Sequence, residues 1–391
     1  MSTRLGAVLI LATAISTAGA EEAKELGERA RGVPETMSAT VARAGADRAL
    51  AFLVREQNAD GSFASGAIEG VHDTGYCVAS FYDWQFGAHC IATMALLAAP
   101  TTEQGDSDRE KALGKAISWF CETRMPKRGS DWDNDTIWAA LYGTVASQWL
   151  LDDPRVSGSV VSEAVTARGK EMLAMLVRNQ VPTGGWGYYD DPPYTRRPKW
   201  ATSFSTAMVI PALRRAEERG WLDDERVRQR AIEYVRRCRL PNGAYEYDLR
   251  PVPRPGMGES INTVKGSLGR IQVCNWALHD AGEKAITPDL IERGLEQFFE
   301  HHRFLDVARM RPIPHEAYYA NAGYFYYFGH YYCARVIERL PEDRRAAWHA
   351  RLRPQILKTQ RANGSMCDFL GQRYLVIADT AFGALSLELG L

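Results

Sequence analysis

The sequence predicts an all-α protein whose helices alternate between two kinds and close into a double ring, an (α/α)6 toroid of about twelve helices. Two observations predict it. Four segments share one layout, in which an amphipathic helix runs into Gln or a substitute, a short glycine turn and an aromatic. Between these segments lie helices that are small and apolar nearly all round. A helix with one apolar stripe covers a core, and one that is apolar on every side lies inside it.

The first repeat runs from Ala49 to Gln57 and closes Asn58-Ala59-Asp60-Gly61-Ser62-Phe63. The second runs from Lys170 to Gln180 and closes Gly184-Gly185-Trp186-Gly187-Tyr188. The third, Ala231 to Cys238, ends Pro241-Asn242-Gly243-Ala244-Tyr245, with Cys238 at the Gln position. The last, Ile356 to Gln360, continues Ala362-Asn363-Gly364-Ser365-Met366, with Met366 in place of the aromatic and Phe369 close behind. Glycine after the last turn accepts the left-handed conformation that ends a helix. The aromatic then packs back under the next helix, and Gln is placed to bond backbone groups left open at helix ends.

The apolar helices are expected over residues 88–98, 136–150, 201–216, 268–278, 322–337 and 378–389. Two further outer helices, 108–123 and 289–302, lack the glycine–aromatic close. Pairs of this kind stack on their neighbours only, so closing the ring is what hides the last edges.

Residues 1–20 read as a secretory signal: Arg4, an apolar run from Leu5 to Ile15, and Ala18-Gly19-Ala20 before Glu21. Residues 21–44 then form a linker or helix and 45–391 the toroid domain, in an exported (periplasmic or secreted) protein. No later segment is long and apolar enough to cross a membrane. The net charge of −1 and the dispersed Lys and Arg argue against a nucleic-acid partner. The seven cysteines sit mostly in apolar helical runs, where a thiol is a small hydrophobe and forms no disulfide framework.

The repeats resemble the QW-type repeat of the squalene–hopene cyclase and protein prenyltransferase β-subunit superfamily, over about residues 45 to 391. The resemblance rests on Gln57/Gly61/Phe63 and Gln180/Gly185/Trp186. It implies an α/α toroid with a central cavity, an apolar or isoprenoid-like ligand, and a prenyltransferase-like or terpenoid-cyclase-like activity if the protein is an enzyme. The fold hosts several functions, so the site must be argued on its own residues.

Ligand residues are expected where the buried helices begin, at the mouth of the cavity. Asp131, Asp133 and Asp135 precede the second buried helix and are the candidate catalytic acids, since a neighbouring carboxylate raises a carboxyl pKa. In the family resembled, the protonating motif is DxDD followed by Thr. Here Asp131-Trp132-Asp133-Asn134 reads DxDN, one carboxyl short, and helix capping is an alternative role.

Candidate ligand-binding residues are Arg196, Arg197, Arg270, His315, Tyr318, Tyr324, Tyr327 and Tyr331. The arginine forks match anionic oxygens, and Arg270, in an otherwise apolar helix, is expected to face the cavity or a buried carboxylate. The tyrosines fall at helical spacing, either as core or as rings over a cationic species. Asp379-Thr380 reads as a helix cap. His72, Asp73, His89 and Cys90 mix zinc-ligating types without a zinc spacing, so no metal and no cofactor are expected.

Three functions follow as alternatives. One is a cavity that binds, and in an enzyme transforms, an elongated apolar molecule. The second is a carbohydrate-active toroid using Arg270, Arg196, Arg197 and acidic residues on a polyanionic glycan. The third is an exported scaffold that binds a protein.

Overall fold

The computed structural model describes residues 34–67, 78–100, 107–125, 137–187, 200–249, 261–369 and 373–391. Among them are thirteen α-helices and no β-strand beyond two isolated bridges, Trp186 with Thr202 and Arg239 with Tyr245. In chain order the outer–inner pairs are α1 (Ala39–Glu56) with α2 (Val78–Ala98), α3 (Ser107–Glu122) with α4 (Ile137–Asp152), and α5 (Ser162–Arg178) with α6 (Ser203–Glu218). They continue with α7 (Arg226–Cys238) and α8 (Leu268–Asp280), then α9 (Pro288–Glu300). After the short α10 (Arg303–Ala308), α9's inner partner is α11 (Tyr326–Ile337), and α12 (Glu342–Leu357) with α13 (Arg373–Glu388) completes the set.

The division of labour follows the sequence pattern. Outer α7 buries Val227, Ala231, Tyr234, Val235 and Cys238 on one stripe and turns most of its arginines outward. Inner α8 is buried without a break from Leu268 to Leu278. Each inner helix packs on the next, α2 on α4, then α6, α8, α11 and α13, and α13 returns to α2, so the ring closes. The chain is an α/α toroid. Inner α2 starts at Val78, ten residues before the expected Ala88, because Ser80, Asp83 and Gln85 are polar yet buried and broke the apolar pattern.

The repeat residues make the joints between pairs. Gln180 Nε2 donates to the Gly184 carbonyl of its own turn at 2.8 Å and to Val227 O of the next outer helix at 2.7 Å. Gln57 does the same to Gly61 O and Ala112 O, and Gln360 to Gly364 O and Gly45 O. Gln360 thereby ties α12 to α1, which closes the outer ring. Gly184 sits at φ +102°, where a Cβ would stand 2.5 Å from Arg230 O, so both conformation and space require glycine. Trp186 is fully buried and its Nε1 donates to Leu176 O at 2.7 Å. Removing such a ring costs about 3–5 kcal/mol. The six described cysteines are all free.

Candidate functional site

Five of the six inner helices, α2, α4, α6, α11 and α13, line a cavity of about 310 Å³. Ten of its seventeen lining residues are aromatic, and this decides its character. Trp84 comes from α2, Trp138 and Tyr142 from α4, Phe204 from α6, Phe328 from α11, and Tyr374 and Phe382 from α13. Phe204 is the hub: Phe328 and Phe325 meet it edge-on with centroids 5.5 and 5.7 Å away, and Trp138 stacks at 6.5 Å. Tyr142 meets Phe382 at 6.1 Å across the floor. Such rings present partly negative faces to whatever lies between them.

Among the described residues Asp379 is the one carboxyl on this lining. It belongs to the second turn of α13, among Ile377, Ala378 and Ala381, and is 4% exposed. Its Oδ2 accepts the backbone N–H of Asp368 at 2.8 Å, and the two carboxyls lie within hydrogen-bonding reach of each other. Asp368, fully buried in the turn after α12, also accepts Tyr327 N–H on Oδ2 at 3.1 Å. Its Oδ1 has no donor among the described residues other than a proton on Asp379.

Burial pushes the Asp379 carboxyl well above the usual carboxylate range, and the Asp368 carboxylate pushes it further. Burial also raises Asp368, to about 6, against the hydrogen bonds it accepts and the field of Arg309. The pair therefore holds one proton at neutral pH, on the cavity-facing Asp379. Thr380 locks the geometry, since its Oγ1 accepts Met366 N–H at 2.9 Å and donates to Val376 O at 2.6 Å. This pair does not cap α13, as the sequence pattern suggested. Both residues stand one turn inside it.

One wall is a loop under backbone strain. Met310, His315, Tyr319 and Ala320 all have φ between 54° and 63° without being glycine. Each such residue costs on the order of 1–3 kcal/mol, and strain of this kind gathers at functional sites. The loop sets Pro314, Tyr324 and Phe325 against the cavity. Met310 N–H donates to Asp368 O at 2.7 Å, which ties the loop to the carboxyl pair. His315 Nδ1–H donates to Ala320 O at 2.7 Å, leaving Nε2 to accept the Tyr324 hydroxyl at 2.7 Å. Burial lowers the His315 pKa and favours this neutral tautomer.

The residues expected from sequence are only partly brought together. Tyr324 lines the cavity and His315 supports it from behind. Tyr318 is 69% exposed and lies off the lining. Tyr327 is buried with its hydroxyl on Thr359 Oγ1 at 2.6 Å. Tyr331 lies off the lining, its ring 5.0 Å from that of Phe382.

Arg270 is buried but off the cavity lining. Its guanidinium donates to the carbonyls of Tyr245 and Ile261 and lies over the Tyr247 ring. His89, buried between Phe63 N and Ala116 O, is lowered to about 3 by burial. Cys90 is buried and its thiol pKa raised. Among the described residues no three His, Cys, Asp or Glu side chains cluster as metal ligands. Asp131, Asp133, Asp135, Arg196, Arg197, His72 and Asp73 lie outside the described residues. Asp379 was read in the sequence only as a cap, and Asp368 and the Trp84–Trp138–Phe204 wall went unnoticed. The signal available was an Asp inside an apolar helix, too far along it to be a cap.

No family model matches the chain, and no curated protein matches its sequence. Solved structures do resemble it in fold. The apo type II terpene cyclase MstE from Scytonema is 16% identical with a TM-score of 0.51, over 90% of this chain and 98% of its own. An inactive variant of the α-1,6-mannanase GH76A of Salegentibacter, in complex with α-1,6-mannotetrose, is 12% identical with a TM-score of 0.54 (89% and 98% covered). The GH76 α-mannanase of Bacteroides thetaiotaomicron is 10% identical with a TM-score of 0.52 (88% and 95% covered). At these identities the likeness is one of fold alone.

Proposed function

We propose that this toroid binds an elongated, isoprenoid-like alkene and starts its rearrangement by protonation from Asp379. The observation that carries the reading is a buried, proton-holding carboxyl, the one among the described residues, on a cavity walled by aromatic rings. An alkene is a weak base, so its protonation needs an acid kept protonated at working pH and shielded from water. The Asp379 proton forms a new C–H bond with the alkene π pair, leaving a carboxylate beside Asp368 and a cation on the adjacent carbon. The next double bond then attacks that cation, and a C–C bond closes a ring. Phe204, Phe328, Trp138 and Phe382 offer negative faces to the migrating charge. The final cation sheds a proton to solvent, and the carboxyl pair takes one back, so protons balance over the cycle.

A type II terpene cyclase shares this fold, which agrees with the reading. The mannanases share it equally, so the carbohydrate-active alternative stands on the fold as well. The carboxyl pair weighs against that alternative. Glycosidic carboxyls stand roughly 5–9.5 Å apart to flank the bond they break, whereas these two are close enough to share a proton. We further infer that residues 1–20 are removed and that the mature chain works outside the cytoplasm.

The test is incubation of the mature protein with linear isoprenoid polyenes in D2O, read by mass spectrometry. Cyclised product should carry one solvent deuteron at the initiating carbon. Product without that deuteron, or equal turnover by a folded Asp379→Asn variant, overturns the reading.

A further inference from the structure

Beneath the floor made by Tyr142 and Phe382, at the far end of the ring axis, the C-terminal ends of α4, α6, α8 and α11 converge. Arg335 of α11 lies 5.1 Å over the Trp276 ring, 5.6 Å over Trp149 and 5.9 Å over Tyr331. No carboxylate among the described residues pairs with it. Its neighbours are already committed: Arg214 and Arg339 share Asp280, and Arg215 and Arg219 share Asp152. Glu218 bonds Arg214, while Glu338 is held by His349 and Arg345.

Six guanidinium groups thus face four carboxylates, one of which, Glu338, also holds His349. Converging helix C-termini offset part of this excess, since each carries a partial negative charge. They do not account for the empty donors. Trp276 is 6% exposed, yet its buried Nε1–H has no acceptor among the described residues, and neither has Arg339 Nε–H. A buried donor left unpaired costs on the order of 1–3 kcal/mol, so the place calls for an acceptor. Burial, then the neighbouring cations Arg219 and Arg335, lowers the Arg215 pKa, and burial and Arg335 lower that of Arg339, as expected of an under-compensated cluster. The side chains of Arg215 and Arg339 are 26% and 30% exposed, so solutes reach them.

We propose that this closed end of the toroid binds an oxyanion, a phosphate or carboxylate group, held by Arg335, Arg339 and the Trp276 indole N–H with Arg215 beside them. Planar guanidinium forks match such oxygens, and the aromatic rings around Arg335 hold its fork in place. The site is separate from the cavity, and its chemistry does not depend on the reading of Asp379.

The test uses the mature protein with inorganic phosphate, compared with chloride at equal ionic strength, by thermal unfolding and calorimetric titration. Phosphate should raise Tm where chloride does not, because a ligand of the native state alone stabilises it. Arg335→Gln should weaken binding at least ~10-fold, and Trp276→Phe, which removes one donor, by a few-fold. Arg236→Gln, an outer-helix control, should leave it unchanged. Vesicles of phosphatidylglycerol against phosphatidylcholine separate the sources. Pelleting with the anionic vesicles that is lost in Arg335→Gln makes the ligand a lipid headgroup, and phosphate protection without pelleting makes it a free ion. Equal Tm with phosphate and chloride, or undiminished phosphate binding in both folded variants, overturns the proposal. Should Arg335→Gln not fold, wild-type titration and Trp276→Phe still decide it.

Discussion

Two ionisable clusters are buried on either side of Tyr326 and Tyr327, and only one of them meets the cavity. In the first, His302 lies 3.0 Å from Asp306 through Nδ1 and 2.9 Å from His330 through Nε2, while His330 Nδ1–H donates to Tyr326 O at 2.6 Å. Lys358 Nζ closes on Asp306 at 2.7 Å. In the second, Asp368 and Asp379 have each other, a few N–H donors and the more distant field of Arg309. Burial pushes Asp306 upward as it does the other two, but His302 and Lys358 outweigh it and hold Asp306 well below the ordinary carboxylate range. Burial is common to both clusters, so the sign of the nearest partner decides which carboxyl keeps a proton. The first arrangement stabilises a charge and the second makes an acid.

The largest way to break this contrast is Asp379→Asn. It keeps the shape and the Asp368 N–H contact but removes the transferable proton. Turnover of a polyene should fall on the order of 10³-fold, within the range removal of a general acid gives, with the circular dichroism spectrum unchanged. Equal turnover would mean that the cavity acid lies elsewhere. Asp306→Asn should do the opposite, sparing turnover and lowering stability. A fully buried pair broken on one side costs about 3–5 kcal/mol. The Asp306 side chain is 36% exposed, so screening reduces this to roughly 1–3 kcal/mol in urea unfolding.

The pH dependence of stability should show both clusters at once. Asp368 and Asp379 have raised folded pKa values, so their contribution is complete below the unfolded value near 3.8. It is lost as pH rises through about 6 for Asp368 and higher for Asp379. His330 and His89 have lowered ones, so theirs is complete above about 6.5 and is lost as pH falls. Between pH 4 and 6 the two slopes oppose each other in the wild type. Asp379→Asn removes the carboxyl whose pKa is raised well above the usual range, so its stability should climb with pH more steeply than that of the wild type. A parallel pair of curves would show that the carboxyls are not coupled.

Sequence pattern was a better guide to the ring than to its contents, for a physical reason. The Gln57, Gln180 and Gln360 joints recur because each must bridge a turn to the next outer helix, and a recurring backbone need leaves a recurring residue. An inner helix has no such signature. It is touched on every side, so Tyr324, Phe328 and Tyr331 look alike in sequence, although the first two face the cavity and the third lies off its lining. Asp379 resembled a cap because polar residues near helix starts usually are caps. It keeps its proton because of burial and of Asp368, which stands in the preceding turn and joins it only through the fold. The acidic run from Asp131 to Asp135, read from its place before a buried helix, lies outside the described residues.

The smallest test concerns two adjacent rings that sequence reasoning cannot separate. Tyr327→Phe deletes a hydroxyl bonded to Thr359, whose own Oγ1 still donates to Ile356 O at 2.7 Å. Neither partner is stranded, so the cost should stay near 0.5–1.5 kcal/mol, the net worth of one hydrogen bond, with turnover intact. Phe328→Leu keeps an apolar filler but removes an aromatic face from the cavity wall beside Phe204. One cation–π face is worth about 0.5–2 kcal/mol, so turnover should drop a few-fold to about 30-fold while stability changes little. If Tyr327→Phe proved the more damaging to turnover, the ligand would have to reach behind α11 and the aromatic lining would be misassigned. The reverse order ties the migrating charge to the rings that face Asp379.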